Sequence, residues 1–214
     1  MHIPDGFLTG QAVLAGTVAG GAGLAYCVRR ATAEAREHDL PVAGLAAAFF
    51  LVGDAPMFPL TVGTEGHLLG GTLAVALLGP WLGAITIAVV TAIQALAFGD
   101  GGITTMGLDV FNLALLPAFV GYPLILLLRR LLPLPVACGL AAFAIVVLAS
   151  LCFVGEFALG SARAIHLGTV SVTVLGTYAV VGAIEGVVTG LIVRALLGVR
   201  PGLVRVRRRQ EAAA

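Results

Sequence analysis

Long apolar stretches with few charged residues constrain this chain more than any other feature of its sequence. A helix needs about 20 predominantly apolar residues to cross about 30 Å of hydrocarbon. Stretches of about this length occupy residues 9–29, 41–60, 81–98, 107–128, 134–158 and 171–195. A soluble domain of 214 residues would need more charged surface than the 11% of charged residues found here. The chain is therefore predicted to be an integral membrane protein.

A further, shorter helix is predicted before Gly79 and Pro80. Residues 68–78 are apolar but too few to span a membrane alone in the usual way. Proline at a helix start commonly marks a break, so we predict a short third helix followed by a full fourth one. The expected fold class is all-α integral membrane, with seven transmembrane helices of which one is short.

The positions of the 12 basic residues, all of them arginine, predict the orientation of these helices. Arginines near helix ends are retained in the cytoplasm. With an extracytoplasmic N-terminus and seven segments, Arg163 alone falls outside. The expected extracytoplasmic parts are residues 1–8, 61–66, 99–105 and 160–169. We expect a single helical membrane domain over residues 1–200 and a cytoplasmic arginine-rich tail over residues 201–214.

The first two residues, Met1 and His2, can chelate a metal ion. No signal peptide is expected, because no basic stretch precedes the first apolar run, and Met1 is expected to stay on the chain. Its amine and the deprotonated backbone nitrogen of His2 would close one ring on a metal, and that nitrogen with the imidazole Nδ1 a second. Such nitrogen donors suit Ni(II) or Cu(II) and disfavour Mg or Ca. Imidazole must be neutral to bind, so binding should weaken as the pH falls through about 6.5.

His67 is the natural fourth ligand, because the predicted topology places it outside, on the same side as His2. The residues alone leave a second interpretation open, in which His2 merely follows the start codon and His67 is an interfacial histidine. His38 and His166 are interpreted as solvated residues of connecting segments, although His166 could contact a metal transiently.

Four stretches carry a resemblance to a known family. They are MHIPDGFL at the start, GTEGHLLGGTLAVALLGPW from Gly63, GDGGITTMGLDVFNLALLP from Gly99 and AIEGVVTGLIV from Ala183. They resemble the CbiM/NikM family, the substrate-binding S components of energy-coupling factor transporters for cobalt and nickel. The likeness runs in register over nearly the whole chain.

The resemblance implies a set of metal ligands, a cargo and partners. The ligands would be the Met1 amine, the His2 backbone nitrogen and imidazole, and the His67 imidazole, with Co(II) or Ni(II) as transported substrate. The implied partners are a coupling transmembrane protein, two ATPase subunits and in some cases a small accessory membrane subunit, all at a prokaryotic plasma (inner) membrane. In related proteins the loop at 99–105 helps to close the site. We expect no catalytic residue, no resident cofactor and no nucleic-acid partner.

Several acidic residues are candidates for positioning these ligands. Glu65, Asp109 and Asp5 are the three we select, with Asp5 expected to cap or hydrogen-bond the short turn after Pro4. A solvated loop position for Glu65, and an interfacial position without a positioning role for Asp109, stay open as alternatives. Acids inside a membrane cost about 2.5–3.5 kcal/mol at the bilayer centre, so a functional role is the default. By sequence, Asp109 and Glu156 fall near outer helix ends and are predicted to be interfacial. Glu185 lies deeper and is expected to pair within the bundle or at a partner interface.

The absence of lysine excludes ATP hydrolysis by a phosphate-binding loop, since that loop needs a lysine. The favoured function is therefore a metal-capturing subunit, not an enzyme, that relies on partner ATPases. The alternative is a proton-coupled secondary divalent-metal transporter in which Glu156 and Glu185 relay protons. Release of the ion is predicted to follow displacement of His67 by motion of segments two and three.

Overall fold

Seven helices form the bulk of the structure, a computed structural model that describes residues 1–34 and 39–206. They are α1 (Gly10–Glu34), α2 (Asp39–Asp54), α3 (Gly71–Leu78), α4 (Pro80–Phe98), α5 (Met106–Leu128), α6 (Leu134–Gly160) and α7 (Leu167–Val199). Within the described ranges, all except α2 and α3 are long and apolar enough to cross a membrane. The predicted all-α membrane fold is confirmed at this level.

The break between α3 and α4 lies where the sequence predicts it. Gly79 adopts a φ of +82°, which a residue with a side chain rarely adopts, and Pro80 begins the next helix. Helix α3 has eight residues. The short third helix and the full fourth helix are therefore confirmed.

The predicted second segment, residues 41–60, is wrong at its end. Helix α2 stops at Asp54 after 16 residues and is followed by a small hairpin. Its strands, β1 (Phe58–Pro59) and β2 (Glu65–Gly66), pair antiparallel with Phe58 opposite Gly66. Prolines at 56 and 59 cannot donate helical hydrogen bonds, which explains why the helix ends early although the sequence stays apolar.

The predicted start of the last segment, residue 171, also needs correction. Helix α7 begins at Leu167 and runs for 33 residues. His166 caps it, because its side chain accepts a hydrogen bond from the backbone N–H of Gly168 at 3.2 Å. The sequence predicts His166 to be a solvated residue of a connecting segment; the structure shows that it also caps the N-terminus of α7.

The first nine residues, which we call the N-terminal strap, run into the bundle. The backbone N–H of Thr9 donates to the carbonyl of Gly160 at 2.7 Å, and that of Ala162 donates to the carbonyl of Phe7 at 3.0 Å. The Phe7 ring lies 5.2 Å from the ring of Phe157. These contacts hold the strap between the ends of α1 and α6 and place Met1 in the interior.

Helices α1 and α5 approach each other closely at glycine. A Cβ added to Gly20 would lie 2.1 Å from the carbonyl oxygen of Gly107, whereas a Cβ added to Gly21 would meet nothing within 4 Å. Small residues at such crossings are typical of helix pairs in membranes, where close packing replaces the hydrophobic effect. The crossing point therefore depends on Gly20 and not on its neighbour.

Replacing Gly20 by alanine should consequently destabilise the bundle. We expect Gly20→Ala to lower the free energy of unfolding by about 1–3 kcal/mol, the usual cost of overpacking, and to lower the thermal unfolding temperature in detergent. Gly21→Ala is the matched control and should leave that temperature unchanged. Equal losses in the two variants would contradict this account of the crossing.

The described part of the predicted tail packs against the bundle. Val204 and Val206 are fully buried. The Arg205 guanidinium lies 3.3 Å from the carbonyl oxygen of Leu78 and 3.4 Å from a carboxylate oxygen of Asp39. The remaining tail residues, 207–214, and His38 lie outside the described residues.

Candidate metal centre

The N-terminal strap brings the Met1 amine against the side chain of His67. Met1 is 0% exposed, and its amine contacts the Nε2 of His67, which is 1% exposed. His67 follows the hairpin and precedes α3, 66 positions from Met1 along the chain. The structure thus joins two of the nitrogens that the sequence selects.

The His67 ring is oriented by a hydrogen bond at its other nitrogen. Its Nδ1 contacts the carbonyl oxygen of Leu68, and because a carbonyl can only accept, Nδ1 carries the proton. Nε2 is then the nitrogen with a free lone pair, and it faces the Met1 amine. Histidines that bind metals commonly have their second nitrogen held in this way.

Burial keeps both of these nitrogens neutral near pH 7. It lowers the pKa of the Met1 amine from 8.0 to about 5, although the nearby carboxylates of Asp100 and Asp109 oppose the shift. Burial also lowers the pKa of His67 well below 6.5, helped by the adjacent amine. A neutral amine and a neutral imidazole are the forms that bind a metal ion.

The His2 imidazole lies beside this pair but does not face the amine with Nδ1. Its ring stacks on that of His67 with a centroid distance of 4.9 Å. Nδ1 lies 3.1 Å from Oδ2 of Asp109, and Nε2 lies 3.6 Å from Oδ2 of Asp100. Nδ1, the nitrogen that the predicted chelate would use, is thus hydrogen-bonded to a carboxylate.

Asp100 joins the centre although the sequence analysis did not select it. Ligand atoms of His2, His67 and Asp100 all lie within 4.8 Å of one another, and all three residues are buried. The sequence feature that could have indicated Asp100 is its position among glycines at 99, 101 and 102, which allow a close approach of the backbone. Only the fold shows that this acid comes back to the N-terminus.

Asp109, predicted to lie near the outer end of its helix, is buried within the protein in the first turn of α5. It is 1% exposed. One of its carboxylate oxygens meets Nδ1 of His2, and the other accepts from the backbone N–H of Ile3 at 3.0 Å. This residue therefore holds the second and third residues of the strap.

Asp5 and Glu65 have positions that differ from that of Asp109. Asp5 is exposed, and its carboxylate accepts hydrogen bonds from the hydroxyl and backbone N–H of Thr104 and from the backbone N–H of Ile103. These hydrogen bonds, that of the Thr104 hydroxyl most of all, lower the pKa of the Asp5 carboxyl. It ties the strap to the loop before α5. The Glu65 side chain is exposed, and its backbone carbonyl accepts from the Tyr178 hydroxyl at 3.1 Å.

Glu185 holds the turn that leads from His67 into α3. Its two carboxylate oxygens accept from the backbone N–H groups of Leu69, at 2.8 Å, and Gly70, at 3.0 Å. The predicted pairing of Glu185 within the bundle is confirmed, but its partners are backbone N–H groups rather than a charged side chain.

Glu156, predicted to be interfacial, is partly buried, and its carboxylate accepts a hydrogen bond from the Asn112 amide at 3.0 Å.

The loop at 99–105 closes over the strap because glycines let it approach. Gly101 has a φ of +90°, and a Cβ there would lie 2.8 Å from the Cβ of His2. The backbone N–H of Gly102 donates to the carbonyl of Ile3 at 2.9 Å. The hydroxyl of Thr64 donates to the His2 carbonyl at 2.6 Å from the opposite side. His2 is thus held by residues from both flanking loops.

The bundle is similar in fold to solved transition metal transporters. A crystal structure of a truncated transition metal transporter superposes with a TM-score of 0.87 and 29% identity, over 92% of this chain and 99% of that one. The fold and its buried nitrogen-rich centre thus define a multi-pass membrane protein of the metal transporter class. The chain belongs to the CbiM family, whose model, described as the cobalt uptake substrate-specific transmembrane region, matches residues 2–203.

Curated relatives agree with this family. A putative metal transport protein of Haloquadratum walsbyi is 35% identical over 95% of this chain and 93% of its own length. A putative fused nickel transport protein NikMN of Archaeoglobus fulgidus is 34% identical over 95% of this chain and 68% of its own. The cobalt transport protein CbiM of Streptomyces coelicolor is 35% identical over 67% of this chain and 63% of its own. The predicted family is confirmed, and it is a family of metal transport proteins rather than of enzymes.

Proposed function

We propose that this chain is the substrate-binding membrane subunit of a Co(II) or Ni(II) importer. The observation that carries the proposal is the contact between the buried Met1 amine and Nε2 of His67. In this contact a proton of the amine lies between two neutral nitrogens. A metal ion, which bonds to nitrogen at about 2.0–2.1 Å, would bind the lone pair of Nε2 and, once the amine has turned, the lone pair of the amine, which keeps both of its N–H bonds.

His2 would complete the nitrogen set. Its backbone nitrogen is one residue from the amine, so the two can close a five-membered ring on an ion already held by Met1. Its imidazole lies against His67 and would supply Nδ1 after turning away from Asp109. When the His2 imidazole turns, the Asp109 carboxylate loses its hydrogen-bond partner. The positive charge of the bound ion would then compensate this buried carboxylate.

The proposed orientation has the metal centre at the outer side of the membrane and the C-terminus inside. The two ends of helix α3 support this arrangement. His67 lies just before the first end, and Leu78, the last residue of the helix, contacts Arg205 at the other. Arg129 also lies at that basic end, where it donates to the carbonyl of Val206. Arginines at one end and the ligands at the other agree with retention of positive charge in the cytoplasm.

Energy for transport would come from partner proteins. The chain has no lysine and hence no phosphate-binding loop. We propose a coupling transmembrane protein and two ATPase subunits as partners, with a small accessory membrane subunit in some assemblies. The described contacts do not favour the proton-coupled alternative, because Glu156 is bonded to Asn112 and Glu185 to backbone amides.

Calorimetric titration of the purified protein, with Met1 as its first residue, tests the proposed function. We expect one ion of Ni(II) or Co(II) to bind per chain and Mg(II) and Ca(II) not to compete, because hard cations prefer oxygen donors. Failure of both Ni(II) and Co(II) to bind would contradict the proposal.

The same titration in buffers of different ionisation enthalpy should show about one proton released per ion, from the His2 backbone N–H that is lost on binding, and almost none from the amine. An exposed amine with its ordinary pKa would carry a proton in about 90% of molecules at pH 7, whereas a pKa of about 5 leaves about 1% protonated. Since the folded pKa is lowered, protons compete at this ligand only as the pH falls through about 5. The steep loss of affinity from Met1 and His67 should therefore begin below pH 6.5. Release of about two protons per ion at pH 7 would contradict the buried neutral amine.

A further inference from the structure

A second group of carboxylates lies on a cavity next to the metal centre. The cavity has a volume of about 210 Å³ and lies between the end of α2 and the last turn of α4. Its lining includes Asp54, Ala55, Met57, Gln94, Phe98 and Asp100, and we call it the entry cavity.

The entry cavity runs from the protein surface to buried acids. Met57 and Phe98 are 44% and 65% exposed at one end. Asp54 and Asp100 are each 4% exposed at the other. A hydrated ion that enters between the two apolar side chains would therefore meet carboxylates before it meets nitrogen.

Asp100 carries the strongest indication of a missing ligand. Both of its carboxylate oxygens are buried, and neither has a hydrogen-bond partner among residues 1–34 and 39–206. A buried carboxylate without a partner is costly, so proteins normally provide a cation, a donor or water. The position of these oxygens on the wall of the cavity indicates that a cation with its bound water provides the partner.

Asp100 also connects the entry cavity to the metal centre. Its Oδ2 lies 3.6 Å from Nε2 of His2, and that nitrogen likewise has no hydrogen-bond partner in the described part of the chain. Asp54, Asp100, Asp109 and Glu185 all lie near enough to the Met1 amine to act on its charge. Several carboxylates around one buried site concentrate cations there and speed their association.

We propose that the entry cavity holds a hydrated divalent transition-metal cation between Asp54 and Asp100 before the ion passes to the nitrogen ligands. The inference rests on the proposed function, for which it supplies the route of capture. Carboxylate and water oxygens bind such an ion less strongly than nitrogen chelates do, so transfer proceeds inward. Asp54 and Asp100 would thus govern the rate of capture, while the nitrogens govern the final affinity.

Stopped-flow measurement of Ni(II) association with the full chain tests this route. We expect Asp54→Asn and Asp100→Asn each to slow association by about 10-fold or more, the lower range of electrostatic steering effects. The absorption spectrum of the bound ion should stay unchanged, because the final ligands are intact. Asp39→Asn is the matched control, since this acid lies beside Arg205 at the opposite end of the bundle and does not line the cavity, and its association rate should equal that of the unmodified protein.

A second variant keeps the test decisive if an aspartate variant fails to fold. Ala55→Trp places a large side chain at an exposed position on the cavity wall and leaves every acid intact, so it should also slow association. Unchanged rates in all three cavity variants would overturn the proposal, as would an altered bound-state spectrum in Asp100→Asn. If the unmodified protein does not bind Ni(II), the proposed function fails and this proposal with it. Normal binding with unchanged rates overturns this proposal alone.

Discussion

Adding residues before Met1 should abolish high-affinity binding of Co(II) and Ni(II) by this protein. Extension converts the Met1 amine into an amide, which has no basic lone pair for a metal ion. It also forces extra atoms into a position where Met1 is 0% exposed. Loss of a group that merely supports a metal ligand costs about 10–100-fold in affinity, so loss of this ligand should cost more than about 100-fold. Isothermal titration with each ion measures the effect.

A removable extension provides the control for this experiment. Cleavage that leaves Met1 as the first residue should restore the affinity, and the same residues added at the C-terminus should leave it unchanged. An extended protein that binds Ni(II) as tightly as the cleaved one would show that the amine is not a ligand. That result would leave the membership of the CbiM family unaffected, because the family match covers residues 2–203.

Replacing His67 by alanine is the second change with a large expected effect. The variant His67→Ala removes the Nε2 atom that faces the Met1 amine, together with the ring on which His2 stacks. Because the remaining nitrogens all belong to the first two residues, the ion would lose the ligand that ties it to the bundle. We expect purified His67→Ala to retain less than about a tenth of the normal metal content, again more than the loss of a supporting partner would cause. Metal analysis by mass spectrometry measures this.

His166→Ala is the matched control for the loss of His67. This histidine caps α7 and is exposed, so its removal should weaken the start of that helix without changing the metal content. Thermal unfolding of the metal-free proteins would show whether either variant is generally destabilised. Full metal occupancy in His67→Ala, with a normal unfolding temperature, would remove His67 from the ligand set.

The contacts of α3 are relevant to the predicted release of the ion. Glu185 holds the backbone just before this helix, and Arg205 contacts its last residue. A displacement of α3 would therefore carry His67 away from the Met1 amine. Release by motion of segments two and three stays a prediction, and these two contacts identify the residues that would have to yield.

Local features of the sequence were sufficient to predict the membrane fold and to select three residues, Met1, His2 and His67, that the structure brings together. Lipid offers no hydrogen bonds to the backbone, so long apolar stretches have to be helical. The break at Gly79 and Pro80 follows equally from local backbone chemistry. These three could be selected because a chelate at a free amine depends on neighbouring residues, and because the predicted topology puts His67 on the same side as His2.

Contacts between distant parts of the chain could only be read from the tertiary structure. The early end of α2, the burial of Asp109, the inclusion of Asp100 and the hydrogen bonds of Glu185 all belong to this group. His2 and Asp109 are 107 positions apart, and Glu185 and Leu69 are 116 apart. Helix formation depends on neighbours within a turn or two, whereas these carboxylates take their roles from the loops that packing brings to them. The sequence by itself therefore determined which nitrogens could bind a metal, and the packing decided which acids surround them.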